Sequence, residues 1–464
     1  MRTWDALETA ARIAAGDVSA EEVIRAAVDR AGAWEPHINA VVTETYEAGI
    51  ERSRQPLSGT FAGVPSFIKD LDNVAGVPTG LGCRAYADFV PNKTAACVQQ
   101  FLDTGFVNLG KSSTPEFGLS ATTEPQGADP TRNPWDRARS SGGSSGGAAA
   151  LTAAGVVPLA YASDGGGSIR IPASFCGLVG LKPSRGRLTD MERAAKLPIK
   201  IATYGVVTRT VRDTAAYYAA VEQAGSGRGL KPVGDVRGPG TEKLRIGLYI
   251  DSPLGHPVDP AARAAVEETG RLLQQLGHSV SEVTPFPEKV VRSFARDFFN
   301  YWAMMGAGVR FMTRRQLGKR YSRDLMEDWT HSLAGHFQRN LLRTPQSLLG
   351  LRRFEQIYAD AFSELDVLIC PTTAGPAPTL KHLSPEQPFQ IKYDRLHELV
   401  PFTPVQNVSG APAISLPMGT SAEGMPIGVQ LASAIGDERR LLELAFALEE
   451  AKPWRTMADN LPPE

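Results

Sequence analysis

The sequence predicts a single large α/β domain built around a mixed β-sheet. The chain has 464 residues, which is long enough to bury a large core. Short apolar runs that are typical of buried strands alternate with amphipathic helical patterns along the chain. This alternation contains no repeat, so one unit spanning residues 1–464 is favoured over separate modules.

The first 60 residues (1–60) are predicted to form N-terminal helices. Ser19 and Glu22 stand in the S-x-x-E order of a capping box, in which each side chain bonds to the backbone N–H of the other residue. Val23, Ile24 and Ala27 follow at the spacing of one helical face. An amphipathic helix is therefore expected to begin just after Ser19.

Residues 61–215 change to short apolar runs broken by glycine and proline. This texture predicts buried strands joined by irregular loops and short helices, and we expect it to form the core of the domain. Residues 225–240 combine glycine and proline with few apolar side chains. They are predicted to be a surface insertion rather than a domain boundary.

The remainder of the chain continues the alternation. Residues 244–250 are predicted to form a strand, followed by a helix with Asp259 as its N-cap and Pro260 at its first position. Residues 287–362 are helical in pattern and are expected to contribute to a substrate pocket. Further strands are predicted at residues 366–371, 411–417 and 427–433, before a final helix at 437–451.

Composition and charge argue against several classes of protein. The formal net charge of −1 provides no basic surface for nucleic acid or for an anionic membrane. The four cysteines show no C-x-x-C spacing and no histidine cluster, which argues against disulfides and a metal site. The first residues lack a signal-peptide pattern, and no stretch resembles a membrane span. We therefore expect a soluble cytoplasmic protein that acts on a small molecule without a cofactor, and a homodimer is left open.

Three short motifs match known patterns in the wrong context. Residues 105–112 fit the phosphate-binding pattern G-x-x-x-x-G-K-[ST], but bulky side chains occupy positions that must turn tightly. Residues 66–69 fit the S-x-x-K of penicillin-recognising enzymes, without the accompanying S-D-N and K-T-G. Residues 142–146 fit the nucleophile elbow G-x-S-x-G, without a buried strand before them. An α/β-hydrolase-type esterase is therefore kept only as a lower alternative.

Residues 163–172 form a second glycine-rich segment with the features of an oxyanion site. A predicted buried strand precedes it, and Gly165, Gly166 and Gly167 allow several backbone N–H groups to point to one place. Ser168 follows directly, so its hydroxyl is expected beside these donors, as acyl transfer through a tetrahedral intermediate requires. The alternative is a mobile loop in which Ser168 is only a helix N-cap.

The glycine-rich segments contain no histidine, so a base for the serine must come from elsewhere. Lys69 follows Phe67 and Ile68 in an apolar stretch, and burial there favours the neutral amine that can accept a proton. Taken alone, such a lysine is more often a solvated residue. The interpretation therefore depends on Lys69, Ser144 and Ser168 acting as one set.

Four long motifs, which together span nearly the whole chain, resemble the amidase signature family in the right order. They are GVPSFIKD (63–70), RSSGGSSGGAAA (139–150), ASDGGGSIRIPASFCGLVGLKPSRGR (162–187) and PFTPVQNVSGAPAISLPMG (401–419). The resemblance implies a mixed central β-sheet covered by helices on both faces. It also implies hydrolysis of a carboxylic amide to an acid and an amine or ammonia through an acyl-serine intermediate.

The resemblance further implies roles for individual residues. Ser168 would be the nucleophile, and Lys69 would be the general base. Ser144 would be a bridging serine, preceded by a cis peptide bond from Gly143, that passes a proton from Ser168 to Lys69.

The same resemblance assigns an oxyanion hole and its support. The oxyanion would be held by the N–H groups of Gly165, Gly166, Gly167 and Ser168. Asp164 and Arg170 would pair to support this loop, and a surface ion pair is the alternative. The family often has a β-branched residue or alanine where this chain has Gly165.

The motifs do not specify the natural amide, although they are similar to those of bacterial amidases of the 6-aminohexanoate-cyclic-dimer hydrolase type. Aromatic and methionine side chains between Phe294 and Met312 are candidates for an acyl pocket, and a place in the core is the alternative. The main alternative function is the glutamine-hydrolysing subunit of a tRNA-dependent amidotransferase, which needs a partner. A family member that binds without turnover is a further alternative.

Overall fold

The computed structural model describes residues 1–225, 227 and 229–457. The helices are α1 (Ala6–Ala15), α2 (Ala20–Ile38), α3 (Tyr46–Ser53), α4 (Ala96–Leu102), α5 (Gly146–Ala153), α6 (Arg170–Cys176), α7 (Val211–Gln223), α8 (Pro260–Gln275), α9 (Glu288–Leu317), α10 (Asp328–Arg339), α11 (Thr344–Ala361), α12 (Phe389–Leu399), α13 (Pro404–Ser409) and α14 (Glu438–Ala451). The strands are β1 (Val41–Glu44), β2 (Pro65–Lys69), β3 (Val107–Ser112), β4 (Arg132–Asn133), β5 (Asp136–Ser140), β6 (Leu159–Asp164), β7 (Val179–Lys182), β8 (Thr203–Thr208), β9 (Arg245–Leu248), β10 (Ser279–Glu282), β11 (Val367–Pro371), β12 (Ala413–Thr420) and β13 (Pro426–Ala432).

An eight-stranded mixed sheet forms the centre of the domain, in the order β10-β9-β11-β13-β12-β7-β8-β6. The pairs β10–β9 and β9–β11 are parallel. The remaining neighbours are antiparallel. The predicted single α/β domain with a mixed sheet is therefore confirmed.

Helices cover both faces of this sheet, as the alternation of side chains along β6 shows. Leu159 and Tyr161 belong to a core cluster shared with α7, α8 and α14. Ala160 and Ala162 belong to a second cluster shared with α5 and α6. Successive side chains of a strand point to opposite faces, so the two clusters lie on opposite sides of the sheet.

A smaller three-stranded sheet has the order β1-β3-β2. Within it, β3 pairs parallel with β2 and antiparallel with β1. The strand β1 was not predicted, since helices alone were expected over residues 1–60. Its four residues are alternately half-buried and exposed, which is too short a pattern to stand out between two helices.

The predicted helix starts are confirmed. In α2, the side chain of Ser19 accepts a hydrogen bond from the N–H of Glu22, whose carboxylate accepts from the N–H of Ser19. In α8, Asp259 Oδ1 accepts from the N–H of Ala261 at 2.8 Å, and Pro260 is the first helical residue.

Residues 225–240 connect α7 to β9, and residues 226 and 228 lie outside the described residues. Val233 and Val236 are buried, although most of the described neighbours are exposed or half-exposed. The N–H groups of Val233 and Gly234 donate to the carboxylate of Glu222 on α7. The described part of this segment is thus a surface connection that is anchored to α7.

The four cysteines are free thiols, and all of them are buried. Burial raises the pKa of each thiol, so the neutral form is favoured. Over residues 1–225, 227 and 229–457, no helix has the length and apolarity that a membrane crossing needs. Within the same residues, no cluster of histidine, cysteine and carboxylate side chains has the arrangement of a metal site.

Candidate active site

Lys69 is the last residue of β2, a strand whose five residues are all buried. Its amino group lies among the hydroxyls of three serines. The Nζ atom lies within hydrogen-bond distance of all three, at 2.7 Å from Ser144 Oγ, 2.8 Å from Ser145 Oγ and 3.1 Å from Ser163 Oγ. A longer contact of 3.4 Å reaches the carbonyl oxygen of Ser163. The predicted burial of Lys69 is therefore confirmed.

The electrostatic surroundings of Lys69 favour an uncharged amine. Burial lowers the pKa of Lys69 to about 7, while the carboxylates of Asp72 and Asp164 act in the opposite direction. None of the three hydroxyls that surround Nζ carries a charge that would hold the proton in place. A substantial part of the amine is neutral near pH 7, as a general base requires.

The first glycine loop, residues 140–147, is entirely buried. The peptide bond between Gly143 and Ser144 is cis, as the resemblance implies. A Cβ on Gly143 would lie 2.6 Å from the backbone nitrogen of Thr122, and one on Gly146 would lie 2.3 Å from a side-chain oxygen. Glycine is therefore required here because other parts of the chain approach so closely, and the loop is not a flexible linker.

The second glycine loop, residues 164–169, follows the end of β6. Gly167 has a φ of +125°, and a Cβ there would lie 2.3 Å from Thr403 Oγ1. The hydroxyl of Thr403 donates to the carbonyl oxygen of Gly166 at 2.7 Å. The loop is therefore fixed from the side of α13 rather than mobile.

Asp164 and Arg170 form a fully buried ion pair at the base of this loop. Both guanidinium contacts are 3.0 Å long, from Nε to Oδ2 and from Nη2 to Oδ1. Burial alone raises the pKa of Asp164, but the charge and hydrogen bonds of Arg170 lower it well below its usual value. The surface ion pair that was the alternative is therefore wrong.

Further polar side chains complete the surroundings of this pair. Arg170 Nη1 donates to Gln430 Oε1 at 2.7 Å and to Gln406 Oε1 at 3.0 Å. Asn407 Nδ2 donates to Asp164 Oδ1 at 2.8 Å. All of these groups are buried, so the hydrogen bonds replace the water that the charges have lost.

One predicted oxyanion donor is already engaged in this structure. The N–H of Gly167 donates to Asp164 Oδ1 at 2.7 Å, so it does not point freely to a substrate. Among the described residues, the N–H groups of Gly165, Gly166 and Ser168 have no acceptor within hydrogen-bond distance. These three are the candidate donors that remain, because the carboxylate competes for the fourth.

The two glycine loops touch through their backbones. The N–H of Ser145 donates to the carbonyl oxygen of Ser168 at 3.3 Å. Within the residues that the structure describes, however, no hydrogen bond joins Ser144 Oγ to Ser168 Oγ. The structure thus brings together Lys69 and Ser144 directly, and it places Ser168 on the adjoining loop.

A cavity of about 110 Å³ lies beside Ser168. Its lining is mostly apolar, and α9 contributes Phe294, Phe298, Phe299 and Trp302 to it. In contrast, Phe311 and Met312 of the same helix are exposed. The predicted pocket role thus applies to the first half of α9 only.

In the other two short motifs, Lys111 and Ser66 have ordinary structural roles. Lys111, the lysine of residues 105–112, is fully buried on β3 and donates to the carbonyl oxygen of Asp72 and to Thr79 Oγ1. Ser66 Oγ donates to the carbonyl oxygen of Leu159 at 3.0 Å rather than to Lys69. Neither segment has the geometry of the site that its letters suggest.

Sequence reasoning did not identify several residues that shape the site. Ser145 and Ser163 contact Lys69 and stand next to predicted residues, so their positions in the motifs were an available signal. Thr403 and Asn407 contact the second loop, and Gln430 contacts Arg170 beside it, from 237 to 260 residues away along the chain. No local pattern links such distant positions.

Comparison with known proteins gives consistent matches over the whole chain. A family model described as Amidase matches residues 22–442. "Putative amidase AmiC" of Mycobacterium leprae is 44% identical over 97% of this chain and 95% of that protein. The 6-aminohexanoate-cyclic-dimer hydrolase of Paenarthrobacter ureafaciens is 34% identical, over 97% of this chain and 95% of its own. A solved structure of 6-aminohexanoate cyclic dimer hydrolase superposes with a TM-score of 0.89 at 32% identity, covering 100% of this chain and 99% of that one.

Proposed function

The chain belongs to the amidase signature family of hydrolases, and on that premise we propose that it cleaves a carboxylic amide through an acyl-enzyme on Ser168. Lys69 is the general base, and Ser144 relays the proton between them. The products are a carboxylic acid and an amine or ammonia. The proposal rests mainly on one observation: the buried Lys69 Nζ lies 2.7 Å from Ser144 Oγ, and the adjoining loop carries Ser168, which lines the cavity.

The hydrogen bonds around Lys69 suit a neutral amine. Ser145 Oγ donates its own hydrogen to the carbonyl oxygen of Ser163, so it accepts one N–H from Lys69. Ser163 Oγ accepts a second N–H. A neutral amine has two hydrogens and one lone pair, which leaves the lone pair for the hydroxyl of Ser144. The lone pair of Lys69 is thereby directed to the hydroxyl of Ser144 before substrate binds.

Acylation begins with attack of Ser168 Oγ on the carbonyl carbon of the amide. The proton of Ser168 passes to Ser144 Oγ while the proton of Ser144 passes to Lys69 Nζ. This step requires the two serine hydroxyls to approach within hydrogen-bond distance when the substrate is bound. Catalytic hydrogen bonds commonly shorten in this way on formation of the substrate complex.

The tetrahedral intermediate carries a negative charge on the former carbonyl oxygen. The unengaged N–H groups of Gly165, Gly166 and Ser168 are placed to stabilise this charge. The proton on Lys69 then returns through Ser144 to the nitrogen of the leaving amine. Water then attacks the carbonyl carbon of the acyl-enzyme and gives its proton through Ser144 to Lys69. The proton returns by the same route to Ser168 Oγ as the acid is released.

The cavity favours an amide with an apolar or aromatic substituent. Phenyl, indole and aliphatic side chains dominate its lining, and no charged side chain contributes to it among the described residues. Glutamine carries an ammonium and a carboxylate that would lose their hydration in such a cavity without a partner. The glutamine-hydrolysing subunit of an amidotransferase is for this reason the weaker alternative.

A serine-directed fluorophosphonate tests the proposed nucleophile. We expect one adduct, mapped to Ser168 by peptide mass spectrometry, and loss of amide hydrolysis in proportion to labelling. Ser168→Ala should lose both, whereas Ser293→Ala, a partly exposed serine of α9 outside the cavity lining, should lose neither. Chelators should leave turnover unchanged. An adduct on another serine with activity retained in Ser168→Ala would overturn the assignment.

A further inference from the structure

The cavity beside Ser168 contains very few polar side chains. Over the described residues, those in its lining are Ser120, Ser168, His397 and the indole of Trp302. The indole N–H is directed to the carbonyl oxygen of Leu119 at 3.4 Å. Of the described residues that line the cavity, His397 alone has an ionisable imidazole, and the proposed mechanism leaves it unused.

The orientation of the His397 ring follows from its neighbours. His397 lies on α12, and its Nδ1 is 2.8 Å from the carbonyl oxygen of Tyr393, one turn earlier. A carbonyl oxygen only accepts hydrogen bonds, so Nδ1 carries the hydrogen and Nε2 carries the lone pair. The ring packs against Tyr393 and Phe299, with centroids 4.1 Å and 5.7 Å away. These contacts hold the imidazole in one position.

The Nε2 atom of His397 receives no hydrogen bond from the described residues, and it is accessible to solvent rather than enclosed by protein. Among residues 1–225, 227 and 229–457, no side chain or backbone group donates to this atom. Burial lowers the pKa of His397, His256 acts in the same direction, and the Tyr393 carbonyl and Asp394 oppose them. The imidazole is thus neutral at pH 7. A ligand that fills this mostly apolar cavity would cover Nε2, and burying the acceptor is costly unless that ligand supplies a hydrogen.

We propose that His397 is a specificity-determining residue whose Nε2 accepts a hydrogen bond from the substrate. The enzyme then selects amides whose cavity-bound part is apolar or aromatic and carries an O–H or N–H donor. This inference rests on the proposed amidase function and adds the substrate class to it. A hydrophobic wall alone discriminates weakly between a methyl and a hydroxyl group, whereas a site with an unpaired acceptor rejects the substrate that lacks the donor.

Two matched pairs of amides test the proposal, since either side of the amide bond could occupy the cavity. The first pair is 4-hydroxybenzamide and 4-methylbenzamide, and the second is 4′-hydroxyacetanilide and 4′-methylacetanilide. In at least one pair, kcat/KM should favour the hydroxyl compound by about tenfold or more, mainly through KM. No preference in either pair, with all four compounds hydrolysed, would overturn the proposal.

Substitutions at His397 assign the preference to this residue. His397→Phe keeps a planar ring but removes the acceptor, so kcat/KM should fall about tenfold for the hydroxyl compound and stay level for the methyl compound. His397→Gln offers an oxygen near the position of Nε2 and should retain part of the preference. An undiminished hydroxyl preference in His397→Phe would contradict the proposal.

His336→Phe is the matched control for these variants. His336 packs edge-on against the same Phe299 ring, with centroids 5.0 Å apart, but it does not line the cavity. Its substitution should leave the hydroxyl-to-methyl ratio unchanged. Loss of the ratio in His336→Phe would show that packing around Phe299, rather than the acceptor, sets the preference.

Binding to the Ser168→Ala variant separates this inference from the proposed function. Calorimetry with the same four compounds should show the same hydroxyl preference without turnover, and His397→Phe on that background should remove it. If none of the amides is hydrolysed but the binding preference holds, the function proposal fails and this inference stands. If the amides are hydrolysed but the binding preference is absent, the proposed function stands and the inference about His397 fails.

Discussion

The two glycine loops of the site contain glycine for different structural reasons. In the first loop, residues 140–147, the space beside the glycines is filled by neighbouring chain, since a Cβ on Gly143 would lie 2.6 Å from the backbone nitrogen of Thr122. In the second loop, residues 164–169, a Cβ on Gly165 would meet Trp302 at 3.7 Å, which is ordinary contact. The first loop needs glycine at positions where neighbouring chain approaches closely, whereas in the second loop Gly167 is crowded in this way and Gly165 is not.

This difference separates two requirements of the proposed chemistry. The first loop must hold Ser144 against Lys69 in the interior, where the amine stays neutral. The second must present Ser168 and unengaged donors to a substrate. A glycine-rich composition is therefore not a measure of flexibility, because both loops are fixed by specific contacts.

The largest expected difference between the two loops is the loss of activity when the serine of each is replaced by alanine. Ser168→Ala removes the nucleophile and should lower kcat/KM for amide hydrolysis by about 10⁴-fold or more. Ser144→Ala removes only the proton relay and should cost about 10²- to 10³-fold. Steady-state kinetics on one amide measures both. Ser145→Ala is the control, since Ser145 contacts Lys69 without a place in the relay, and its cost should be smaller than that of Ser144→Ala.

The first loop works only if Lys69 accepts a proton. Because burial lowers the pKa of Lys69 to about 7, the group is protonated and inactive below that pH, and kcat/KM should rise as pH increases through about 7. Lys69→Ala should lose about 10³-fold and should flatten this rise. The measurement is a profile from about pH 6 to about pH 9. A wild-type rate that does not change over this range would contradict the role of Lys69 as base.

Within the second loop, two glycines should respond very differently to alanine. Gly167→Ala places a Cβ 2.3 Å from Thr403 Oγ1 at a φ of +125°, and the strain of about 1–3 kcal/mol predicts a loss of about 10- to 100-fold in kcat/KM. Gly165→Ala meets only ordinary contacts and should stay within about threefold. Thermal unfolding of both variants distinguishes a local effect from global unfolding. Equal losses would mean that the loop is less tightly fixed than its contacts indicate.

A small loss is expected when the hydrogen bond between Thr403 and the second loop is removed. Thr403→Val removes the hydrogen bond to the carbonyl oxygen of Gly166, which is worth about 1 kcal/mol and so about fivefold in kcat/KM. Thr403→Ser keeps the hydroxyl and should remain close to wild type. If both variants are equally impaired, the methyl group and not the hydrogen bond supports the loop.

Much of the fold could be predicted from local chemistry. The capping box at Ser19, the cap at Asp259 and the apolar strand runs depend on neighbours in sequence, and the structure contains them. The strand β1 was not predicted because four residues carry too little pattern. The cis peptide bond before Ser144 came from the family resemblance rather than from any local property.

The catalytic residues of the proposed site could be predicted from the sequence, but the hydrogen bonds and packing contacts around them could not. The sequence indicated Lys69, Ser144 and Ser168, and the structure places the lysine and the first serine in contact. It did not indicate that Asp164 would occupy the N–H of Gly167, since that depends on the turn of the backbone. It also gave no sign of His397, which reaches the cavity only because α12 packs beside α9.

The side chains that hold Arg170 beside the second glycine loop come from positions much later in the sequence. Arg170 is bonded to Gln406 and Gln430, which are 236 and 260 residues further along. A chain emerging from the ribosome therefore carries Ser168 long before it carries the groups that shape its surroundings. Hydrolytic competence should therefore arise only after Gln406 and Gln430 have been synthesised and have folded against Arg170.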